Sequence, residues 1–235
     1  MLHTELKQIA HIETCYREKF GIPRQSGLVT ELVAKIKFEP TYRNPDALRG
    51  IEGYSHLWLL WYFSEATVHG QWQPMVRPPR LGGNTPMGVF ATRSPYRPNP
   101  IGLSSVRLVG VDHSDRDGSI LLVDGADLLD GTPILDIKPY LSYTDSHPDA
   151  RCGFSDQVAD YRLEVCIPAE IESKIPPQYR KPLRMLLQQD PRPSYHDDPQ
   201  KPYGIAFAGF DVRFKVCNGC LTVFDILPEN APKCR

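Results

Sequence analysis

The chain has 235 residues, 41% of them hydrophobic, enough to bury one sizeable core or one core with a small appendage. A formal charge of −1 excludes a generic polyanion binder, and a longest apolar run of Leu57–Phe63 is far too short for a bilayer-spanning helix. Six cysteines without a spacing framework, and a polar Met1–Lys7 lacking an apolar targeting segment, predict a cytoplasmic chain with reduced thiols.

Taken in order, Leu6–Glu13, Glu31–Phe38, Leu57–Phe63, Met87–Ala91, Val106–Val111 and Ile120–Val123 have the length and the β-branched or aromatic bias of strands. "ELVAKIKFE" alternates apolar and polar residues in its second half, as a half-buried strand does. The one helical turn predicted in this half covers Asn44–Arg49. No helical segment separates the strands at regular intervals, so a barrel or sandwich is expected and a doubly wound, Rossmann-like sheet is not. Residues 146–159 are polar and aperiodic and read as a linker between a domain at 1–145 and a smaller α+β domain at 160–235. In the latter, "YRLEVCI" reads as a strand. A helix follows from Pro168 to about Ile175, and another runs through "QYRKPLRMLLQQD", kinked or started at Pro182. Two strands, Phe207–Val216 and Leu221–Leu227, flank "CNGC", whose Asn-Gly pair is a hairpin signal.

Charge is unevenly distributed. Ala66–Val111 contains no Asp or Glu but carries Arg77, Arg80, Arg93, Arg97 and Arg107; Asp112–Asp160 has eleven acidic residues against Arg116, Lys138 and Arg151. An acid-free, arginine-bearing stretch points to an anionic partner or ligand. Within it, "FATRSPYRPNPIGLS" (Phe90–Ser104) is stiffened by Pro95, Pro98 and Pro100, which exclude a helix interior or a central strand. Ser94, Tyr96, Arg97 and Asn99 are then presented on a semi-rigid extended loop.

Common enzyme templates are missing. "RLGGN" has two glycines but no Walker lysine and no GxGxxG pattern, and neither GxSxG nor HExxH occurs. Cys217 and Cys220 have CxxC spacing but no second ligand pair, so they read as structural cysteines facing each other across a turn, and no metal is expected. His56, at the mouth of the most apolar strand, reads as a hydrogen-bonded core histidine. In "LLDGTPILDIKPYL" an extended backbone puts Asp136 and Lys138 on one face, with Leu135 and Ile137 on the other. Asp130 or Asp136 could then bind a ribose diol or receive a proton, and Lys138 could pair with a carboxylate; equally, these charges could simply face water.

"YREKFGIPRQSG", "GIEGYSHLWLLWYF", "RPPRLGGNTPMGVFATRSPYRPNPIGLS", "DGTPILDIKPY" and "QDPRPSY" occur in this order. Together they resemble the TrmO-type (YaeB/TsaA-like) tRNA methyltransferases over nearly the whole chain. Thr14-Cys15 stands where that family usually has Ser-Pro. The resemblance implies a mainly β fold, a TsaA-like non-Rossmann β-barrel with a small C-terminal domain. It also implies a dimer that uses S-adenosylmethionine to methylate N6 of threonylcarbamoyl-adenosine beside the tRNA anticodon.

On that resemblance the cofactor is held by Pro23, Arg24, Gln25, Ser55, His56, Leu57, Arg93 and Leu103, together with the turn Asp130, Gly131, Thr132 and Pro133 and the following Asp136 and Lys138. An arginine fork matches a carboxylate, so Arg93 or Arg24 is expected on the amino-acid end of the cofactor. Asp136 and His56 are the candidates for removing the N6 proton, and Arg77, Arg80, Tyr96 and Arg97 for contacting RNA. Two other readings fit the residues: a non-catalytic RNA-binding barrel, and a barrel enzyme for a small anionic substrate. Cofactor binding separates the enzyme from the first, and tRNA retention separates it from the second.

Overall fold

A computed structural model describes residues 5–66, 72–79, 85–114, 116, 118–192 and 198–229. Its first half contains β1 (Ala10–Glu13), β2 (Val33–Phe38), β3 (His56–Tyr62), β4 (Met75–Val76), β5 (Met87–Gly88), β6 (Ile101–Asp112), β7 (Ile120–Asp124) and β8 (Pro133–Pro139). Strands β1-β2-β7-β6-β3-β8 form a closed barrel, sealed where Ala10 and His11 pair with Ile134 and Pro133 of β8. Every pairing in it is antiparallel. The mainly-β barrel expected from the strand pattern is therefore present.

Alternation sets what faces inward. On β3, Leu57, Leu59 and Trp61 are buried, while on β6 Gly102, Ser104 and Val106 are buried and Leu103 is exposed. Each large apolar side chain so enclosed contributes about 1.5–3 kcal/mol. Trp61 lies directly over Gly102, donates its indole N–H to Ser104 Oγ at 3.0 Å, and packs tilted at 58° against Phe63, 4.2 Å between centroids.

The second half holds α1 (Ser142–Asp145), β9 (Glu164–Cys166), α2 (Ala169–Glu172), α3 (Pro177–Leu187), β10 (Tyr203–Phe207), β11 (Phe210–Cys217) and β12 (Cys220–Pro228). Its sheet runs β10-β11-β12-β9, with β9 parallel to β12. A parallel pair needs a long crossover, supplied here by the segment carrying α2 and α3. Cys217 and Cys220 are paired across the Asn218-Gly219 turn, where both central residues have positive φ.

Several expectations are corrected. The prolines of Phe90–Ser104 predict that no central strand lies there, yet β6 begins at Ile101, immediately after the last proline. The prolines end one residue outside the ladder, and the Pro100 carbonyl still accepts the Phe63 N–H at 2.9 Å. Met87–Ala91 is a strand for two residues only and then a 3-10 turn. The strand expected at Phe207–Val216 is split by Ala208-Gly209, both at positive φ, so Tyr203–Phe207 forms a further hairpin strand. Pro182 neither starts nor ends its helix but sits inside α3, buried. The helix expected from Pro168 to about Ile175 is α2, only four residues long.

Candidate functional site

Three loops converge beside the N-terminal half of β6: residues 14–32 between β1 and β2, the proline-rich loop 89–100, and residues 125–132 between β7 and β8. Hydrogen bonds join them. The Arg93 guanidinium donates to Gln25 Oε1. Gly27 N–H reaches the Gly125 carbonyl at 2.8 Å. The Asp127 carboxylate accepts the Ser104 hydroxyl at 2.6 Å and the backbone N–H of Ser26, and it faces the charge of Arg93. Two of the expected cofactor residues, Gln25 and Arg93, are thus in direct contact although 68 positions apart.

The proline-rich loop is knitted from within. Ser94 N–H bonds Thr92 Oγ1 at 3.3 Å, Tyr96 N–H bonds Ser94 Oγ at 3.2 Å, and Arg97 Nη1 reaches the carbonyls of Thr92 and Ser94 at 3.2 and 3.4 Å. Arg97 therefore braces the loop that carries Arg93, leaving the rest of its fork half-buried. Tyr96 and Phe90 stand exposed on the same loop, and Arg77 is exposed just beyond β4. Arg80 lies outside the described residues.

A second group lies on the outer wall of the barrel. Residues directly opposed on antiparallel strands project to the same face. Leu60 is opposed by Leu103 on β6 and by Asp136 on β8, so these three form one outward row. Lys138 lies in the next row, beside Trp58, and its Nζ meets Asp136 Oδ2 at 2.8 Å. A bulge makes this possible. Ile134 faces the core, and strict alternation from there would carry Asp136 and Lys138 inward as well. The register slips between Leu60 and Trp61, so Leu135 is the extra residue and Asp136 turns outward.

Both Asp136 oxygens are engaged, one by Lys138 and the other by the Ile137 N–H at 2.9 Å. His56 is four residues from Leu60 along β3, about 13 Å away; its Nδ1 contacts Ser55 Oγ at 2.9 Å. The two proposed proton acceptors are thus on one wall of the barrel but not at one point. Leu57, beside His56, is a core residue at 1% exposure. Pro23 is buried, while Arg24 directs Nη2 to the Asp190 carbonyl at 2.7 Å.

The 130–133 turn is tied to the exit of β1. Asp130 Oδ1 accepts the Thr14 N–H at 2.9 Å, Gly131 N–H bonds the Ile12 carbonyl at 2.8 Å, and the buried Thr132 hydroxyl bonds the Leu129 carbonyl at 2.7 Å. Pro133 begins β8 against His11.

Asp127 was not singled out from the sequence. Its signal was present in "VDGADLLDG", where an acid is flanked by Ala126 and Leu128, both buried in the barrel core. Burial raises the Asp127 carboxyl above the usual carboxylate range, although the Ser104 hydroxyl, two backbone N–H groups and Arg93 all act to lower it. A carboxyl raised in the fold binds its proton more tightly folded than unfolded. Its contribution therefore favours the fold at low pH and is lost as pH rises through the native value. Asp127→Asn lacks that titration, so its stability relative to wild type should improve from about pH 4 to about pH 7, as read by melts across that range. A pH-independent difference would show that Asp127 is not titrating in this window.

Comparison with known proteins gives a consistent answer. Residues 11–146 match the model of the tRNA-methyltransferase O N-terminal domain, and residues 160–229 that of the TrmO C-terminal domain. A tRNA (adenine(37)-N6)-methyltransferase from Escherichia coli K12 is 42% identical over 233 residues, covering 96% of this chain and 98% of the relative. A Pseudomonas aeruginosa relative, named provisionally as an S-adenosylmethionine-dependent methyltransferase, is 40% identical over 224 residues, covering 91% and 93% of the two chains. A crystal structure of TrmO from P. aeruginosa superposes with a TM-score of 0.77 at 33% identity, covering 97% of this chain and 98% of that one.

Proposed function

The chain belongs to the TrmO family of tRNA methyltransferases, and from that footing we propose that it methylates N6 of threonylcarbamoyl-adenosine at position 37 of tRNA. The observation that carries this reading is the junction of Gln25 and Arg93, which anchors one donor of an exposed guanidinium and leaves the rest of its fork for an anion. That donor set suits the carboxylate end of S-adenosylmethionine, which when bound supplies an electrophilic methyl group carried on a sulfonium. Arg93 and Gln25 would hold the amino-acid end, and Leu103 would offer an apolar contact from β6.

The chain's own residues then have two tasks. The first is orientation, because aligning a methyl donor with its acceptor supplies much of the rate. The second is proton removal: N6 of the modified base is conjugated with both the purine and a carbonyl, and is a poor nucleophile while it keeps its hydrogen. Asp136 shares the Leu103 row, whereas His56 is about 13 Å along the strand, which favours Asp136. Taking up the proton would release Lys138, a cation then available to the substrate's threonine carboxylate. Arg77, Tyr96 and Arg97 are proposed to meet the RNA around the anticodon loop. The proposal includes a homodimer in the cytoplasm; among the described residues no helix is long and apolar enough to cross a membrane.

Tritiated methyl incorporation into tRNA carrying threonylcarbamoyl-adenosine, against the unmodified transcript at equal concentration, tests the reading. Gripping the remote carboxylate orients the reacting nitrogen, so label should enter the modified tRNA alone. Equal incorporation into both would leave a methyltransferase that ignores the threonylcarbamoyl group.

A further inference from the structure

Residues 14–32 leave the barrel and pack on the second sheet. Tyr16 and Val29 are buried in the same core as Leu186 and Phe207. Gly21, at φ 91°, abuts β10 so closely that a Cβ would stand 3.1 Å from Ile205 Cβ. Beyond it, several hydrogen bonds join this loop to the second domain, two of them at the turn that follows α3. Gln189 Nε2 donates to the Leu28 carbonyl at 3.2 Å, and Arg24 Nη2 donates to the Asp190 carbonyl at 2.7 Å.

The turn that makes these bonds is itself tightly held. Asp190 has φ 51°, a left-handed conformation that Asp tolerates better than most residues. Its carboxylate takes Arg192 Nε and Nη2, each at 2.8 Å, and the Tyr161 hydroxyl at 2.9 Å. The Asp190 and Arg192 side chains are only 13% and 12% exposed. Burial alone would raise the Asp190 carboxyl, but the bonds from Arg192 and Tyr161 hold it below the usual range, so the pair stays ionised and rigid.

We propose that the Gln189–Arg192 turn of the C-terminal domain is a positioning clamp for the 23–28 loop, setting Arg24 and Gln25 where Arg93 can join them to receive S-adenosylmethionine. The inference rests on the cofactor binding at Gln25 and Arg93, as proposed above. Arg192 is a positioning residue: it acts through Asp190 and Arg24.

The test uses full-length protein and S-adenosylmethionine calorimetry, with steady-state kinetics on tRNA. Arg192→Leu should weaken S-adenosylmethionine binding about tenfold and raise its KM while leaving kcat near wild type, and Arg192→Lys should recover part of the loss. Val223→Ala, a core truncation in β12, should lower the melting temperature and leave that affinity within about twofold, separating positioning from mere stability. Should Arg192→Leu not fold, Gln189→Met, which keeps the side-chain volume, should still weaken binding by about threefold. Wild-type affinity in the folded Arg192→Leu or Gln189→Met protein overturns the clamp. Arg93→Ala is measured alongside. Loss in Arg93→Ala with wild-type affinity in Arg192→Leu overturns the clamp alone; loss in Arg192→Leu with wild-type affinity in Arg93→Ala overturns the Arg93 site and the clamp's role in serving it, and wild-type affinity in both overturns both.

Discussion

Arg93→Ala should weaken S-adenosylmethionine binding about ten- to a hundredfold, the loss of a charge-assisted contact of roughly 1.5–3 kcal/mol. Two neighbours would feel the change. Gln25 would lose the donor that joins its loop to the proline-rich one, and Asp127 would lose the lowering influence of the Arg93 charge, raising its carboxyl further. Arg93→Lys keeps the charge but not the planar fork, so it should restore only part of the affinity. The double variant with Gln25→Ala should lose less than the sum of the two single losses, because the residues act through one contact. Calorimetry on all four proteins decides. Wild-type affinity in a folded Arg93→Ala protein would sink the assignment.

Gly102→Ala should strongly destabilise the barrel. A Cβ at this position would fall inside the van der Waals envelope of Trp61 Cε2, Cζ2 and Cδ2. The indole has little room to retreat: it is 8% exposed, packed against the tilted ring of Phe63 and hydrogen-bonded to Ser104. Overpacking of this kind costs about 3 kcal/mol or more, which for a chain of this size lowers Tm by roughly 6–12 °C. Any shift of Trp61 would also disturb Ser104, and through it the hydroxyl that Asp127 accepts. Gly102→Ala combined with Trp61→Leu should recover part of the stability, since the smaller side chain leaves space for the methyl group. An unchanged Tm in Gly102→Ala would mean that the indole moves freely, contrary to its packing.

Most of the barrel was legible because alternation is a local signal. The second half of "ELVAKIKFE" shows by its alternation which residues face inward before any partner strand is known, whereas "HLWLLWY", apolar almost throughout, marks a strand without marking its inner face. The start of β6 was not legible, since three prolines made its approach look irregular although the ladder begins directly after them. The β10–β11 turn escaped notice because Gly209 is its one turn signal, Ala208 adopting a positive φ where Asn or Gly usually stands. The orientation of Asp136 depends on a bulge, which leaves no trace in the residue pattern. Asp127 carries weight only through its burial, and burial is a property of the closed fold. Resemblance directed attention to these loops, whereas the bonds joining Asp190 and Gln189 to residues 24 and 28 link positions 166 and 161 apart, beyond the reach of any sequence window.

Those long separations also shape how the chain acquires its structure. During synthesis, residues 14–32 leave the ribosome on the order of ten seconds before the strands and helix that cover them. Meanwhile Tyr16, Phe20, Ile22 and Val29 have no core to enter, and the barrel cannot close until β8 reaches β1. Contacts of such high sequence separation form slowly and leave apolar surface open in the interval. The nascent protein therefore passes through a stage at which the apolar side chains of its N-terminal loop await the C-terminal residues that cover them.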